Sequence, residues 1–146
     1  MTNEENTTAN IPQKVYDLMM ENDYFSKWLG LEFIAIGEGT CTLKFTVRRE
    51  MLNGFHSIHG GVLFSAADSA FAFSCNSCGR QTVALDCNIN YARPAFEGEI
   101  LIVDAHEITR GRTTGIYEIK ITNEDEKLVA IFRGTAYDTG KIHEIN

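Results

Sequence analysis

Basic charge is scarce in this chain: 13 lysines and arginines stand against 20 aspartates and glutamates, a formal charge of -7 over 146 residues. Nucleic acid is held by a cationic footprint that displaces counterions. General affinity for it is therefore excluded, and any polyanionic ligand must find a local cluster of cations. Cysteine is sparse as well. The four present, Cys41, Cys75, Cys78 and Cys87, are too few for a secreted disulfide scaffold of this length, and reduced thiols in a cytoplasm are expected. No apolar stretch is long enough to span a bilayer, because the longest is interrupted by Asp68 and several serines. Residues 1–10 lack the charged-then-apolar order of a signal peptide and read as a polar, flexible N-terminus. The only prolines, Pro12 and Pro94, sit at element ends, where a missing N–H does no harm.

What is present suits one domain over residues 1–146: 44% of the residues are hydrophobic and 10% aromatic, enough for a sizeable core. The spacing of Val15, Leu18 and Met19 predicts a short helix over Ile11–Asn22. A second is expected over Tyr24–Leu29, with Asp23 as N-cap and with Phe25, Trp28 and Leu29 packed on a sheet. From Leu31 the period changes to two, and Cys41, Leu43, Phe45 and Val47 alternate with polar residues as in a half-buried strand. A helix follows over Gly60–Ser77, ended by Gly79 and too apolar on all sides to lie on a surface. Alternation then returns over Val83–Tyr91, Glu99–Ile108, Tyr117–Thr122 and Leu128–Tyr137. The short polar connections between these segments favour antiparallel neighbours. The expected fold is α+β, with one long apolar helix enclosed by an antiparallel sheet.

The chemistry concentrates at the start of that helix. Asn53, His59, Gly60 and Gly61 lead into an apolar run, Val62–Phe73, whose single carboxylate is Asp68. A lone acid there is costly to bury and points to function. The first turn of a helix offers unpaired N–H groups at the positive end of its dipole, and a glycine lets a ligand approach them, so Gly60 can hold a developing oxyanion. Asn53 can donate to the same carbonyl or hold the loop, and His59 can bridge the loop to the helix. Asp68 stands eight residues on, about 12 Å along the axis, whereas a reacting carbonyl must lie within about 3 Å of both groups. One chain therefore cannot supply both, and a homodimer with antiparallel central helices and shared sites is expected.

A second constellation, Arg110-Gly111-Arg112-Thr113-Thr114-Gly115, with Arg93 beside Pro94, has the composition of a phosphate site and equally that of a solvated hairpin tip. His56 and His106 read as surface or strand residues. The four histidines show no metal spacing, and Cys75-x-x-Cys78 falls late in a helix, away from the end that activates thiolates.

The residues Met51-Leu52-Asn53-Gly54, His59 to Ser65, Ala67 to Ala72, Cys75-Asn76-Ser77, Arg93-Pro94, the Arg110 to Gly115 turn and Val129 to Gly134 together resemble the hot dog fold thioesterases. Within that family they resemble the PaaI-like (hydroxy)phenylacetyl-CoA thioesterases, from about Tyr16 to Tyr137. The resemblance implies a central helix wrapped by a curved antiparallel sheet, dimers joined through sheet edges, and a homotetramer built as a dimer of dimers. It implies hydrolysis of an aryl-acyl-CoA, linked to phenylacetate degradation, with Asp68 as general base or nucleophile. The Gly60 N–H then polarises the thioester carbonyl, and Asn53 and His59 assist. Gly61, Phe64, Tyr91, Arg93, Arg110, Arg112 and Thr114 are expected to meet substrate, the arginines at the phosphates and Phe55, Phe64 and Tyr91 at an aryl pocket. Ala84 aligns with a position where some relatives carry a water-holding hydroxyl, which is absent here. Coenzyme A belongs to substrate and product, and no cofactor, metal or membrane is expected. A medium-chain acyl-CoA thioesterase, a hydratase using His59, and a non-catalytic acyl-CoA binding module are the competing readings.

Overall fold

A computed structural model of the chain describes residues 11–146, and the expectation of a flexible N-terminus over residues 1–10 lies outside the described residues. Two short helices come first, α1 (Ile11–Glu21) and α2 (Tyr24–Leu29), then β1 (Glu32–Gly37), β2 (Thr40–Thr46) and a 3-10 turn at Arg49–Met51. The long helix α3 (Gly60–Asn76) precedes β3 (Arg80–Tyr91), β4 (Ile100–Arg110), β5 (Thr114–Thr122) and β6 (Leu128–Ile142). All six strands join one antiparallel sheet in the order β1-β2-β4-β5-β6-β3. This is the hot dog arrangement: α3 lies across one face of the sheet and touches every strand.

The register explains why that face is apolar. Leu43 pairs with Val103, Val103 with Ile121 and Ile121 with Ala130; in the next layer Cys41, Ala105, Ile119 and Phe132 stand in line. All eight are buried. Period two places them on one side of the pleat, where α3 covers them with Leu63, Ala66, Ala67, Ala70, Phe71 and Phe73. Small residues on the helix let its backbone approach the sheet, and Phe71 fills the centre against Tyr117 and Phe132, at centroid distances of 5.6 and 5.9 Å.

Three differences from expectation have physical causes. Phe25 and Trp28 do not pack on the sheet; they are 51% and 60% exposed. Helix α2 has only six residues and docks through Leu29 and through Ser26, whose Oγ lies 2.9 Å from Ser69 Oγ. Phe25 and Trp28 lean on each other instead, with the Arg48 guanidinium over the indole. Asp23 caps α2 as expected, accepting from the Ser26 N–H at 2.9 Å. Strands β3 and β6 extend beyond their alternating cores because the ladder continues through Arg80 opposite Ile142 and Thr82 opposite Asp138, with an Arg80–Asp138 ion pair alongside. Bulges at Ala84/Asp86 and Glu107/Thr109 break the period within β3 and β4.

Gly134 on β6 has its room taken by a neighbour: a Cβ there would stand 2.7 Å from Phe71 Cζ. The Phe71 ring is held by Tyr117 and Phe132 and has little space to retreat. Gly134→Ala is expected to cost about 1–3 kcal/mol by overpacking, read as a lower urea midpoint at unchanged slope. An unchanged midpoint would show that the ring yields freely.

Candidate active site

The loop before α3 is built to present the helix start. The Asn53 N–H donates to Ser57 C=O at 2.8 Å, Ile58 N–H to Ala95 C=O at 2.8 Å and His59 N–H to Met51 C=O at 2.8 Å. The Asn53 side chain closes the turn, its Oδ1 accepting from Phe55 N–H at 2.9 Å and from Ser57 N–H and Oγ at 3.3 Å. Its amide N–H groups donate to no acceptor among the described residues, so they remain free for a ligand.

The first-turn donors of α3 are then nearly all spoken for. His59 is the N-cap, and its Nδ1 accepts from Gly61 N–H at 2.9 Å. The His59 carbonyl takes Val62 N–H at 3.0 Å and Leu63 N–H at 3.4 Å. Among the described residues only Gly60 N–H is left without an acceptor in this turn, at the positive end of the dipole. The cap also defines the histidine: with Nδ1 accepting, a neutral ring carries its proton on Nε2. That lone pair is not available as a general base.

Gly60 is held from the other side by Tyr91. The Tyr91 hydroxyl donates to Gly60 C=O at 3.0 Å, and a Cβ on Gly60 would fall 2.9 Å from Tyr91 Cζ. These groups line a cleft of about 460 Å³ together with Asn53, Leu63, Arg93 and Pro94. Asn53, Gly60, Tyr91 and Arg93, chosen from the sequence, thus meet in one opening. Phe64 is half-buried and packs edge-on against Phe132 at 5.1 Å, while Phe55 is 89% exposed and lines no part of the cleft. Gly61 contributes backbone to the cap and lies outside the opening.

Asp68 lies two turns deeper along the same unbroken helix, about 12 Å from Gly60. It does not line the cleft. Its carboxylate is half-buried and has no partner among the described residues, and burial pushes its pKa above the usual carboxylate value. Its charge reaches the Cys87 thiol on β3, which burial chiefly, and then Asp68, raise to about 11. Asp68 therefore sits beside β3, a 12-residue strand at the end of the sheet with no partner along its outer edge among the described residues. Ala84 is on this strand, opposite the buried Ala136 and hence on the helix side of the sheet.

The arginine turn occupies the opposite end of α3. Arg110 Nη1 donates to Cys75 C=O at 2.9 Å and to Tyr117 Oη at 3.0 Å; Nη2 reaches Thr82 Oγ1 at 3.4 Å and Asp138 at 3.6 Å. Arg110, expected at the substrate phosphates, is thus placed where it satisfies a carbonyl at the helix C-terminus. The crevice it shares with Thr114 encloses essentially no space. Arg112 is exposed at the tip of the turn. Burial pushes the Cys41 and Cys75 thiols up to about 12, in keeping with a packing role. Arg49 and Phe96, not singled out in the sequence, line a neighbouring hollow that shares Asn53; an aromatic between Pro94 and Gly98 was the available signal.

Residues 55–130 match the model of the thioesterase superfamily. The acyl-coenzyme A thioesterase PaaI of Escherichia coli (strain K12) is 46% identical over 122 residues, covering 84% of this chain and 87% of that protein. The solved E. coli PaaI protein, from the phenylacetic acid degradation operon, superposes with a TM-score of 0.90 at 41% identity, covering 93% and 99% of the two chains. A Streptococcus mutans protein solved bound to acetyl CoA gives 0.74 at 28% identity, covering 77% and 90%.

The raised pKa of Asp68 has a signed consequence for stability. Below its ordinary value of 3.8 the group is protonated whether folded or unfolded and costs nothing; as pH rises from there to the raised folded value the unfolded chain ionises first, and above the folded value the fold carries the full penalty. Asp68→Asn is expected to raise the melting temperature at pH 7 and to give no gain near pH 3. Equal shifts at both pH values would contradict a buried, unpaired carboxylate.

Proposed function

Starting from a chain that belongs to the thioesterase superfamily, we propose that it hydrolyses an aryl-acyl-CoA, phenylacetyl-CoA or hydroxyphenylacetyl-CoA, to the free acid and coenzyme A. The observation that carries the reading is the uncommitted Gly60 N–H, open to the cleft between the Asn53 amide and the Tyr91 ring. An uncommitted N–H at a helix start, with a second donor beside it, is what an oxyanion requires.

The acid must come from a second copy, because 12 Å of rigid helix separates Asp68 from Gly60. The free edge of β3 supports this. Val83 and Leu85 on it are 52% and 63% exposed, and a long unpaired apolar edge is a liability unless a partner covers it. Pairing β3 with its copy about a two-fold axis sets the α3 helices antiparallel, so that Asp68 of the partner subunit faces Gly60. The partner's Cys75 end then lies about 10 Å beyond, which brings the partner's Arg112 to the same mouth as Arg93. These two arginines are the cations offered to the substrate phosphates. A pair of such dimers makes the tetramer, which we place in the cytoplasm; the link to phenylacetate degradation is supported by the operon of the similar E. coli protein.

In the reaction, the thioester carbonyl oxygen accepts from Gly60 N–H and Asn53 Nδ2. Water attacks the carbonyl carbon as the partner's Asp68 takes its proton; the C–S bond breaks, and the leaving thiolate recovers a proton to give free coenzyme A. In the alternative route Asp68 itself attacks and an anhydride is hydrolysed. Ala84 provides no hydroxyl to hold the water, so the first route relies on Asp68 and backbone groups. His59, with Nδ1 committed to the cap, is unsuited to the general base a hydratase needs.

Asp68→Ala is expected to lower turnover of phenylacetyl-CoA by at least about 100-fold while the dimer persists in sedimentation; near-wild-type turnover in the folded variant would contradict the mechanism. Activity is also expected to fall as pH drops through the raised Asp68 pKa. Single-turnover hydrolysis in heavy-oxygen water separates the routes, since label in the Asp68 carboxylate reports nucleophilic attack and label confined to product reports a general base. A panel of medium-chain acyl-CoAs decides the acyl group.

A further inference from the structure

Gly60 has to be a glycine for a reason that lies outside its own backbone. Its φ is not positive, unlike those of Gly30, Gly39 and Gly79, so the conformation itself admits any L residue. What forbids a side chain is the Tyr91 ring: a Cβ on Gly60 would stand 2.9 Å from both Cζ and Oη, and 3.3 Å from Cε1. The ring fills the place of the missing side chain, and its hydroxyl donates to Gly60 C=O at 3.0 Å. Both contacts fall on the one residue of the first turn whose N–H is uncommitted.

Tyr91 is anchored firmly enough to act as a brace. It is the last residue of β3, paired with the buried Ala130. The next two N–H groups, of Ala92 and Arg93, both donate to Val129 C=O, at 2.8 and 3.2 Å. The sheet therefore fixes the base of the ring, and the ring bears on the helix start. Unbraced helix ends fray, and glycine has the widest backbone freedom of any residue, whereas a donor for a developing oxyanion must hold its direction before the reaction begins. The contact does little else. Tyr91 is 54% exposed, so its ring buries modest area, and water would satisfy its hydroxyl nearly as well.

We infer that Tyr91 is the positioning residue of the oxyanion donor: by holding the Gly60 carbonyl from the neighbouring strand, its hydroxyl aims the Gly60 N–H at the thioester oxygen. The inference rests on the thioesterase reading above. It separates two parts of one side chain, since the ring walls the cleft while the hydroxyl is turned onto the helix backbone.

Tyr91→Phe keeps the ring and removes only the hydroxyl. In the whole protein it is expected to lower kcat for phenylacetyl-CoA about tenfold, with KM and melting temperature close to wild type. In the unliganded protein it is expected to move the Gly60 carbonyl-carbon resonance upfield, as loss of a hydrogen bond to that oxygen does. An unchanged kcat overturns the role, whether KM rises or not and whether the carbonyl moves or not. A lowered kcat with an unmoved carbonyl puts the hydroxyl on the substrate and overturns it too, as does a large drop in melting temperature, which would make the hydroxyl a stabilising group. In each of these outcomes thiol release by the wild-type protein preserves the thioesterase reading. A carbonyl that moves, in a protein whose wild type releases no thiol from any acyl-CoA, leaves the hold of Tyr91 on Gly60 standing and removes the thioesterase reading instead.

Discussion

Helix α3 runs unbroken for 17 residues with no proline inside it, and it is packed across the sheet. That rigidity governs both the fold and the site. The sheet presents aligned rows of apolar side chains because period two sorts them to one face, and α3 is the only element apolar enough to cover them. The helix consequently carries its N-terminal donor and its mid-length acid at a separation set by 1.5 Å per residue. No local rearrangement brings Gly60 and Asp68 of one chain together without unwinding the core.

The electrostatic logic follows from how the helix ends are satisfied. At the N-terminus, His59 takes up three donors through its ring and carbonyl and leaves one, Gly60 N–H. At the C-terminus, Arg110 satisfies Cys75 C=O, and Asn76 Oδ1 accepts from Thr82 N–H at 2.9 Å and pairs with His143 at 2.7 Å. One end is sealed and the other is left open at a single atom. Asp68, midway, receives no compensating donor among the described residues and keeps a raised pKa, a cost to stability that a packing role would not require.

Much of this was legible in the residues. The start of α3 shows in His59-Gly60-Gly61 and its end in Gly79, so the expected Gly60–Ser77 differs from the observed Gly60–Asn76 by one residue. The four later strands show as alternation, but their ends do not: Arg80, Asp138 and Ile142 join the ladder through pairing and charge, which hydrophobic periodicity does not record. The site divides in the same way. Asn53, Gly60, Tyr91 and Arg93 could be named because motif and spacing place them at a helix start and a strand end. Arg110 could be read as a phosphate ligand or as a hairpin-tip residue, because its contacts with Cys75 C=O, 35 residues away, and with Tyr117 Oη across the turn exist only in the folded chain. Helical spacing puts Phe25, Trp28 and Leu29 on one apolar face toward the sheet, but a six-residue helix has too short a face to bury all three. Arg49 and Phe96 meet only in the hollow between two loops that the chain folds together.

The claim that a working site draws Gly60 from one chain and Asp68 from another is tested by mixing inactive variants. Asp68→Ala and Gly60→Pro protomers, the second lacking the N–H at a first helical position where proline is tolerated, are each checked to be inactive alone, unfolded together in equal amounts and refolded, and thiol release is measured. Statistical pairing about a two-fold axis leaves one intact site in half of the dimers, so recovery of about a quarter of wild-type activity is predicted. No recovery from mixed dimers whose formation is verified would place both residues in one chain's site and contradict the account.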